Sequence, residues 1–314
     1  MSILKVHGEK TTPDFIEEDF ISAIETSINR SVYYREKSIE IRRISQADEN
    51  ELGYDGVLNT IIPFYIQFKR SVFYSPHFKG QLLFHRKSVS LPVDKGFFAF
   101  ELLRKNKKYD QHNAMFKLAQ QNKAAYVAPM FYKSSDLSKL KSQAKEVLPL
   151  YYDDIFFYHP LHRRNITLRN VLLFKKSITI PPHALINDNN ASHHYTFCRD
   201  NKVGFHSEPI NLENSKSQSF YYFIQEVFNH PERESKRTIE SNYNLLPELF
   251  GIDKNSDEFV SILEASIKRI STVDSDVNIK SIIEQFDSID KLLILEDILY
   301  QYFNIRQFIK YEIG

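Results

Sequence analysis

Apolar and more polar side chains alternate along residues 64–69. The apolar positions are separated by polar or amphipathic ones in the order Phe64-Tyr65-Ile66-Gln67-Phe68-Lys69. A period of two residues is typical of a β-strand that buries one face. The pattern therefore predicts a half-buried strand on which Gln67 and Lys69 point to the same face.

Further along the chain, the pattern predicts a crossover of strand, helix and strand. Alternating apolar residues indicate a strand over 96–103, Asp110 opens a helical pattern, and an apolar strand covers 124–131. A unit of this kind favours a mixed α/β sheet over an all-β fold. A further helix is predicted over 135–147, and further strands over 151–158, 194–198 and 203–206.

From Ser217 onward the apolar residues recur at helical spacing instead. This change predicts a C-terminal region that is all-helical, in the stretches 220–228, 245–250, 259–270, 279–286 and 289–308. We therefore expect an α/β domain over 1–215, followed by a helical accessory domain over 216–314.

The last predicted helix carries an apolar stripe of Leu292, Leu295, Leu299 and Phe303. One interpretation is that this stripe packs into the core of its own chain, as amphipathic helices usually do. The other is that the C-terminal helices form an interaction surface, either for a homo-oligomer or for a partner subunit.

Composition and charge exclude several classes of protein. The single cysteine, Cys198, allows no intrachain disulfide and no cysteine cluster for zinc. The formal net charge of +1 requires any nucleic-acid surface to come from local clusters of Lys and Arg. No run of about 20 apolar residues predicts a membrane span. Residues 1–10 lack the apolar run of a signal peptide, so we expect a cytoplasmic protein without a membrane partner.

Acidic residues precede the strand that carries Gln67 and Lys69. Asp55 lies in an extended stretch, 54–59, which a turn would fold back beside Gln67 as a hairpin. Carboxylate and amide oxygens suit hard divalent cations, so Asp55, Gln67 and either Glu49 or Glu51 are candidate ligands of Mg²⁺ or Mn²⁺. Lys69 beside such a cation would orient the attacking water or neutralise charge on a phosphate. The spacing therefore favours metal-assisted hydrolysis.

Glu49, Asp55 and the segment Gln67-Phe68-Lys69 resemble the active-site signature of the PD-(D/E)XK superfamily, the restriction-endonuclease-like nucleases. The segments Tyr126-Val127-Ala128-Pro129 and Ser207-Glu208-Pro209 are similar to those of a group of uncharacterised bacterial proteins with the same Gln-Phe-Lys variant. The resemblance covers roughly the first two thirds of the chain. It implies a restriction-endonuclease-like mixed sheet flanked by helices, with Asp55 as the metal-binding Asp, Gln67 at the second acidic position, Lys69 as the catalytic Lys and Glu49 as the helix-borne Glu.

The resemblance also implies an activity, that of a magnesium-dependent nuclease acting on DNA in bacterial anti-phage defence. One departure from the family pattern keeps a second interpretation open. Gln67 stands where the family usually has Glu or Asp, which removes a negative charge from the metal site. The alternative is a catalytically inactive nuclease fold that binds nucleic acid or a partner protein.

Candidate contacts to nucleic acid lie next to the motif. Arg70 follows the strand that carries Gln67 and Lys69. Gln111 lies at the start of the next predicted helix, where related nucleases often have a polar residue that faces the cleft; the alternative is an exposed side chain without a role in binding. Basic residues in the preceding loop would neutralise backbone phosphates, although a solvated charge run is the more common explanation. These are Arg104, Lys105, Lys107 and Lys108.

Other ionisable residues are expected to be structural or solvated. Near the start of the chain, Ile16, Phe20, Ile24 and Ile28 recur at helical spacing and predict an amphipathic helix. We expect its acidic residues to face solvent; these are Glu17, Glu18 and Glu25. The histidines lack the acidic or cysteine companions of a standard zinc site, so hydrogen-bonded or surface roles are favoured. They are His159, His162, His193, His194 and His206.

Overall fold

The computed structural model describes ten stretches of the chain. They are residues 10–31, 38–43, 61–103, 109–146, 171–187, 191–206, 209–212, 216–229, 235–270 and 286–313. The predicted hairpin strand 54–59, the predicted strand 151–158 and the predicted helical stretch 279–285 lie outside these residues.

Twelve strands occur within the described residues. In chain order they are β1 (Lys10–Thr11), β2 (Ser38–Arg42), β3 (Ile62–Phe68), β4 (Val72–Tyr74), β5 (Phe97–Glu101), β6 (Ala124–Pro129), β7 (Ser177–Ile180), β8 (His194–Phe197), β9 (Val203–His206), β10 (Ile210–Asn211), β11 (Gln218–Ser219) and β12 (Arg306–Ile313).

The same residues contain nine helices. They are α1 (Glu17–Ser31), α2 (Gln81–Ser88), α3 (Asp110–Gln121), α4 (Ser134–Glu146), α5 (Leu172–Lys175), α6 (Phe220–Asn229), α7 (Ser235–Phe250), α8 (Asp257–Ile270) and α9 (Ser288–Phe303). None of the helices in this described part is both long and apolar enough to cross a bilayer.

The strands form two six-stranded sheets. The first has the order β1-β4-β5-β8-β9-β10 and is antiparallel throughout. The second has the order β11-β7-β6-β3-β12-β2, in which only β3 and β6 are parallel. The mixed α/β class predicted from the sequence is therefore confirmed, and the narrower restriction-endonuclease-like architecture stays a prediction.

The predicted crossover is partly right. Helix α3 and strand β6 form where the sequence pattern places them. Strand β5, however, belongs to the first sheet, and the parallel neighbour of β6 is β3, with Gln67 opposite Tyr126. The crossover therefore starts from the strand that carries the motif, and β4, α2 and β5 are inserted before its helix.

The C-terminal region ends in a strand, so the prediction of an all-helical region is wrong there. Helix α9 stops at Phe303 because Asn304 adopts a left-handed conformation with φ of 50°, a common way to end a helix. Strand β12 then enters the second sheet between β3 and β2. The domain boundary at residues 215 and 216 stays a prediction, and elements from both sides of it are neighbours in this sheet.

Strand β3 alternates as predicted but is buried on both faces. Phe64, Ile66 and Phe68 pack into a core with helices α1 and α6, whereas Tyr65 packs on the opposite side with α7 and α9. A central strand covered by helices on both faces excludes water from its polar side chains as well. Gln67 is consequently inaccessible to solvent.

The apolar stripe of α9 is part of the chain's own core. Leu292, Leu295 and Leu299 are fully buried, and Phe303 is nearly so. These side chains therefore offer no surface to a second copy or a partner, which supports the intramolecular interpretation of the stripe.

Candidate active site

Lys69 projects from the end of β3 into a closed polar site. Its backbone N–H donates to the carbonyl of Val127 at 2.9 Å, which continues the pairing of β3 with β6. Its side chain is only 9% exposed. The Nζ donates to Oε1 of Gln111 at 3.1 Å and lies 5.8 Å from the centre of the Tyr126 ring. Among the described residues, the ammonium therefore has one direct polar partner and one weaker aromatic contact.

Burial makes the charge of Lys69 unusually easy to lose. Removal from water lowers the pKa of its ammonium from the ordinary 10.5 to about 8, and the negative charge of Glu17 offsets part of this effect. Lysines with lowered pKa are characteristic of functional sites. At neutral pH Lys69 remains mainly protonated and available as a cation.

Gln67 lies on the same face of the strand and is oriented by one contact. Its Nε2 donates to the carbonyl of Phe303 at 3.1 Å. A carbonyl oxygen only accepts hydrogen bonds, so the amide nitrogen must face Phe303 and the amide oxygen must face away. That oxygen, Oε1, is buried and has no hydrogen-bond partner among the described residues. An unsatisfied buried acceptor is costly, which makes Oε1 a candidate ligand atom.

Gln111 connects the lysine to the same carbonyl. It lies in the first turn of α3 and is buried. Its Oε1 accepts from Lys69, and its Nε2 donates to the carbonyl of Phe303 at 2.6 Å. Both ends of the Gln111 amide are therefore used inside the protein. The structure brings together three of the predicted site residues, Gln67, Lys69 and Gln111.

Glu17 is a member of this site that the sequence analysis did not identify. It is the first residue of α1 and is half-buried, whereas we expected it to face solvent. Burial raises the pKa of its carboxyl group; the charge of Lys69 and a hydrogen bond from the backbone N–H of Arg70 lower it in part. The carboxylate and the ammonium therefore influence each other's charge. Nothing in the local sequence distinguishes Glu17 from its solvated neighbour Glu18, because the contact is tertiary.

Two other acidic residues of α1, Glu18 and Glu25, form ion pairs elsewhere. Arg306 on β12 is nearly buried and lies 3.2 Å from a carboxylate oxygen of Glu18 and 3.4 Å from one of Glu25. These contacts tie the start of α1 to the second sheet, close to Glu17. They fix the helix end that presents Glu17 to the site.

Six of the predicted site residues lie outside the part of the chain that the structure describes. They are Glu49, Asp55, Arg104, Lys105, Lys107 and Lys108. Within the described stretches, no group of three or more His, Cys, Asp or Glu side chains could hold a metal ion. A cation site that includes Gln67 and Glu17 would need further acids from outside the described residues, and Glu49 and Asp55 are the ones that the sequence predicts.

Arg70 points away from the three assembled residues. It is exposed, and its Nη1 lies 3.4 Å from the carbonyl of Phe15, at the margin of a hydrogen bond. Its guanidinium group therefore remains accessible at the protein surface, and its contact with nucleic acid stays a prediction.

A buried histidine lies behind the site. Nε2 of His112 is 2.8 Å from the carbonyl of Ala184, so this nitrogen carries the proton, and Nδ1 accepts from the hydroxyl group of Tyr126 at 2.8 Å. Burial lowers the pKa of His112 to about 3, and the positive charge of Lys69 contributes. His112 is therefore a neutral structural partner of Tyr126, the ring that faces Lys69.

Of the histidines singled out in the sequence, His206 makes a hydrogen bond, His193 stacks on Phe205 and His194 lies near an acid. His206 is buried and lies 2.7 Å from Oγ1 of Thr196, and burial lowers its pKa to about 3. His194 lies 4.0 Å from a carboxylate oxygen of Glu101. His159 and His162 lie outside the described residues.

Comparisons of this chain with protein-family models, with curated proteins and with solved structures found no match.

Proposed function

We propose that this protein is a metal-dependent nuclease that hydrolyses phosphodiester bonds, with DNA as the substrate. The observation that carries this proposal is that Lys69, held by Gln111, and the unpartnered Oε1 of Gln67 belong to the same face of β3. A buried lysine and an amide oxygen that is free to coordinate a cation are two components that a hydrolytic metal site can use. The resemblance to PD-(D/E)XK nucleases supports the same chemistry.

In this proposal Glu49, Asp55 and Gln67 hold Mg²⁺ or Mn²⁺, and Glu17 is a further acid close to them. The cation would lower the pKa of a bound water and so supply the nucleophile. Lys69 orients that water or stabilises negative charge on the phosphate. Gln111 holds the ammonium in place through its Oε1. Glu17 keeps Lys69 charged, since its carboxylate raises the pKa of the lysine.

The contacts to nucleic acid and the biological role belong to the same proposal. Arg70 and the basic run 104–108 would contact the phosphate backbone, which predicts binding that weakens as salt is raised. The resemblance supports a role in bacterial defence against phage.

The test is cleavage of single- and double-stranded DNA and RNA by purified protein with Mg²⁺, with Mn²⁺ and with EDTA. We expect metal-dependent products that disappear with EDTA, and we expect Asp55→Ala and Lys69→Ala to abolish cleavage in a folded protein. Lys87→Ala, which removes an exposed lysine of α2, is the matched control. Retained cleavage in a folded Asp55→Ala variant would refute the assignment.

A second candidate function is binding of nucleic acid or a partner protein without cleavage. The observation that favours it is the amide of Gln67, which is held by the protein's own backbone where the family has an acid. The same assay separates the two functions. Metal-independent gel shifts without products would support the binder, and EDTA-sensitive products would eliminate it.

A further inference from the structure

One backbone carbonyl holds two side-chain amides of the candidate site. The oxygen of Phe303 accepts from Nε2 of Gln67 at 3.1 Å and from Nε2 of Gln111 at 2.6 Å. A carbonyl oxygen has two lone pairs, so these donors satisfy it. The contacts join β3, α3 and the end of α9 at one point.

The position of this carbonyl in α9 explains why it is free to accept. The last four carbonyl groups of a helix have no partner within the helix. At the end of α9, the N–H of Asn304 turns back to the carbonyls of Leu299 and Tyr300, which leaves that of Phe303 directed outward. The C-terminal end of a helix also carries partial negative charge, which favours cations nearby.

Both amides are consequently oriented with their oxygens away from Phe303. The oxygen of Gln111 accepts from Lys69, and the oxygen of Gln67 is buried without a partner. Resting on the proposed function, we propose that the Phe303 carbonyl is a positioning group, which presents Gln67 Oε1 as a neutral ligand to a divalent cation and Gln111 Oε1 to Lys69.

This arrangement explains why an amide stands at position 67. An ionised Glu there would place a carboxylate oxygen about 3 Å from the Phe303 carbonyl, with two acceptors facing each other and no proton between them. A protonated Glu would still donate a hydrogen bond to this carbonyl. The Phe303 carbonyl therefore favours an amide at position 67, and replacing Gln67 by the Glu that the family usually has would not improve the site.

The first experiment compares the thermal unfolding of wild type and Gln67→Glu at pH 5 and pH 8. The pKa of a Glu at this position would be raised in the folded state, so the variant keeps its stability at low pH and loses it as the pH rises. We expect its Tm to lie close to wild type at pH 5 and about 5 °C or more below it at pH 8. An equal loss of Tm at both pH values, or none at pH 8, would overturn the positioning role.

The second experiment separates positioning from mere packing by titrating Mn²⁺ into the full-length chain. Gln67→Met removes the amide at similar volume, and Gln307→Met is the matched control. Gln307 is also fully buried, donates through Nε2 to the carbonyl of Leu292 at 3.0 Å and has an unpartnered Oε1. On β12 it lies opposite Tyr65, four residues before Lys69 on β3. We expect Gln67→Met to weaken Mn²⁺ binding ~10-fold or more, and Gln307→Met to leave it unchanged.

The outcomes distinguish this inference from the proposed function. Wild-type affinity for Mn²⁺ in Gln67→Met would overturn the inference even where EDTA-sensitive cleavage persists. A wild-type protein that neither binds Mn²⁺ nor cleaves would refute the proposed function and the ligand role of Gln67 together.

Discussion

Replacing Lys69 by Met should make the protein more stable than wild type at neutral pH, and this difference should shrink as the pH becomes alkaline. Methionine has a similar length and no charge, so it fills the same buried space. The ammonium of Lys69 is unfavourable in this site, because burial lowers its pKa from 10.5 to about 8. The substitution removes that unfavourable charge.

The magnitude follows from the pKa. Each pKa unit corresponds to about 1.4 kcal/mol, so holding the charged lysine in the folded state at pH 7 costs ~3 kcal/mol. The substitution also leaves Oε1 of Gln111 without its donor, which costs about 1 kcal/mol. At pH 7 we therefore expect Lys69→Met to be more stable than wild type by about 2 kcal/mol.

The sign of the pH dependence follows from proton binding. Between pH 8 and 10.5 the unfolded chain binds more protons at Lys69 than the folded chain, so wild-type stability rises with pH in this range. The variant has no such group. We expect wild type to gain about 2–3 kcal/mol relative to the variant between pH 7 and pH 10.

The assay is urea unfolding followed by circular dichroism at pH 7 and pH 10. Lys87→Met, at an exposed position on α2, serves as the control and should show no comparable difference between the two pH values. If wild type and Lys69→Met keep a constant difference in unfolding free energy across this range, the lowered pKa of Lys69 and the reasoning built on it are refuted.

Two further predictions concern groups that contact this site. Glu17→Gln removes the charge that raises the pKa of Lys69, so the rise of stability with pH should begin at a lower pH than in wild type. The same urea unfolding at several pH values measures this shift, and an unchanged profile would show that Glu17 does not influence the charge of Lys69. His112→Gln removes a buried imidazole whose pKa is about 3, and wild-type stability should fall as the pH drops below 6.5. We expect this fall to be smaller in the variant by about 2 kcal/mol between pH 6.5 and 4.5, and equal slopes of Tm against pH would contradict it.

Local periodicity predicted the individual elements well. The alternation at residues 64–69 predicted β3, and the paired strands β8 and β9 form where the pattern places them. The pattern did not predict that β3 is covered on both faces. Its polar residues are buried because helices from distant parts of the chain pack over them, and Nε2 of Gln67 donates to a carbonyl 236 positions away.

The strand β12 was missed because its polar side chains conceal its burial. Lys310 is buried and donates to the carbonyl of Phe228 at 2.8 Å, and Arg306 pairs with acids of α1. These partners are distant in the sequence, so the local pattern of polar residues predicts that Lys310 and Arg306 face solvent. Asn304, a residue type that accepts the left-handed conformation, was the available local signal that α9 ends before β12.

The candidate site shows the same limit. Gln67 and Lys69 were predicted to share a face because a strand has a period of two, and Gln111 was identified through the helix that follows. The contribution of Glu17 and of the Phe303 carbonyl depends on how α1 and α9 meet the end of β3. The spacing of residues within α1 or α9 does not predict how these helices pack against the end of β3.

The place of β12 in the second sheet has a consequence for biosynthesis. Among the described strands, β12 lies between β2 and β3 and pairs with both, and its residues are translated long after these two strands have left the ribosome. Pairing of such remote segments slows folding, since a very large loop must close first. The nascent chain therefore holds an incomplete sheet until residue 313 has emerged, and the polar cluster around Lys69 assembles only as a late event of maturation.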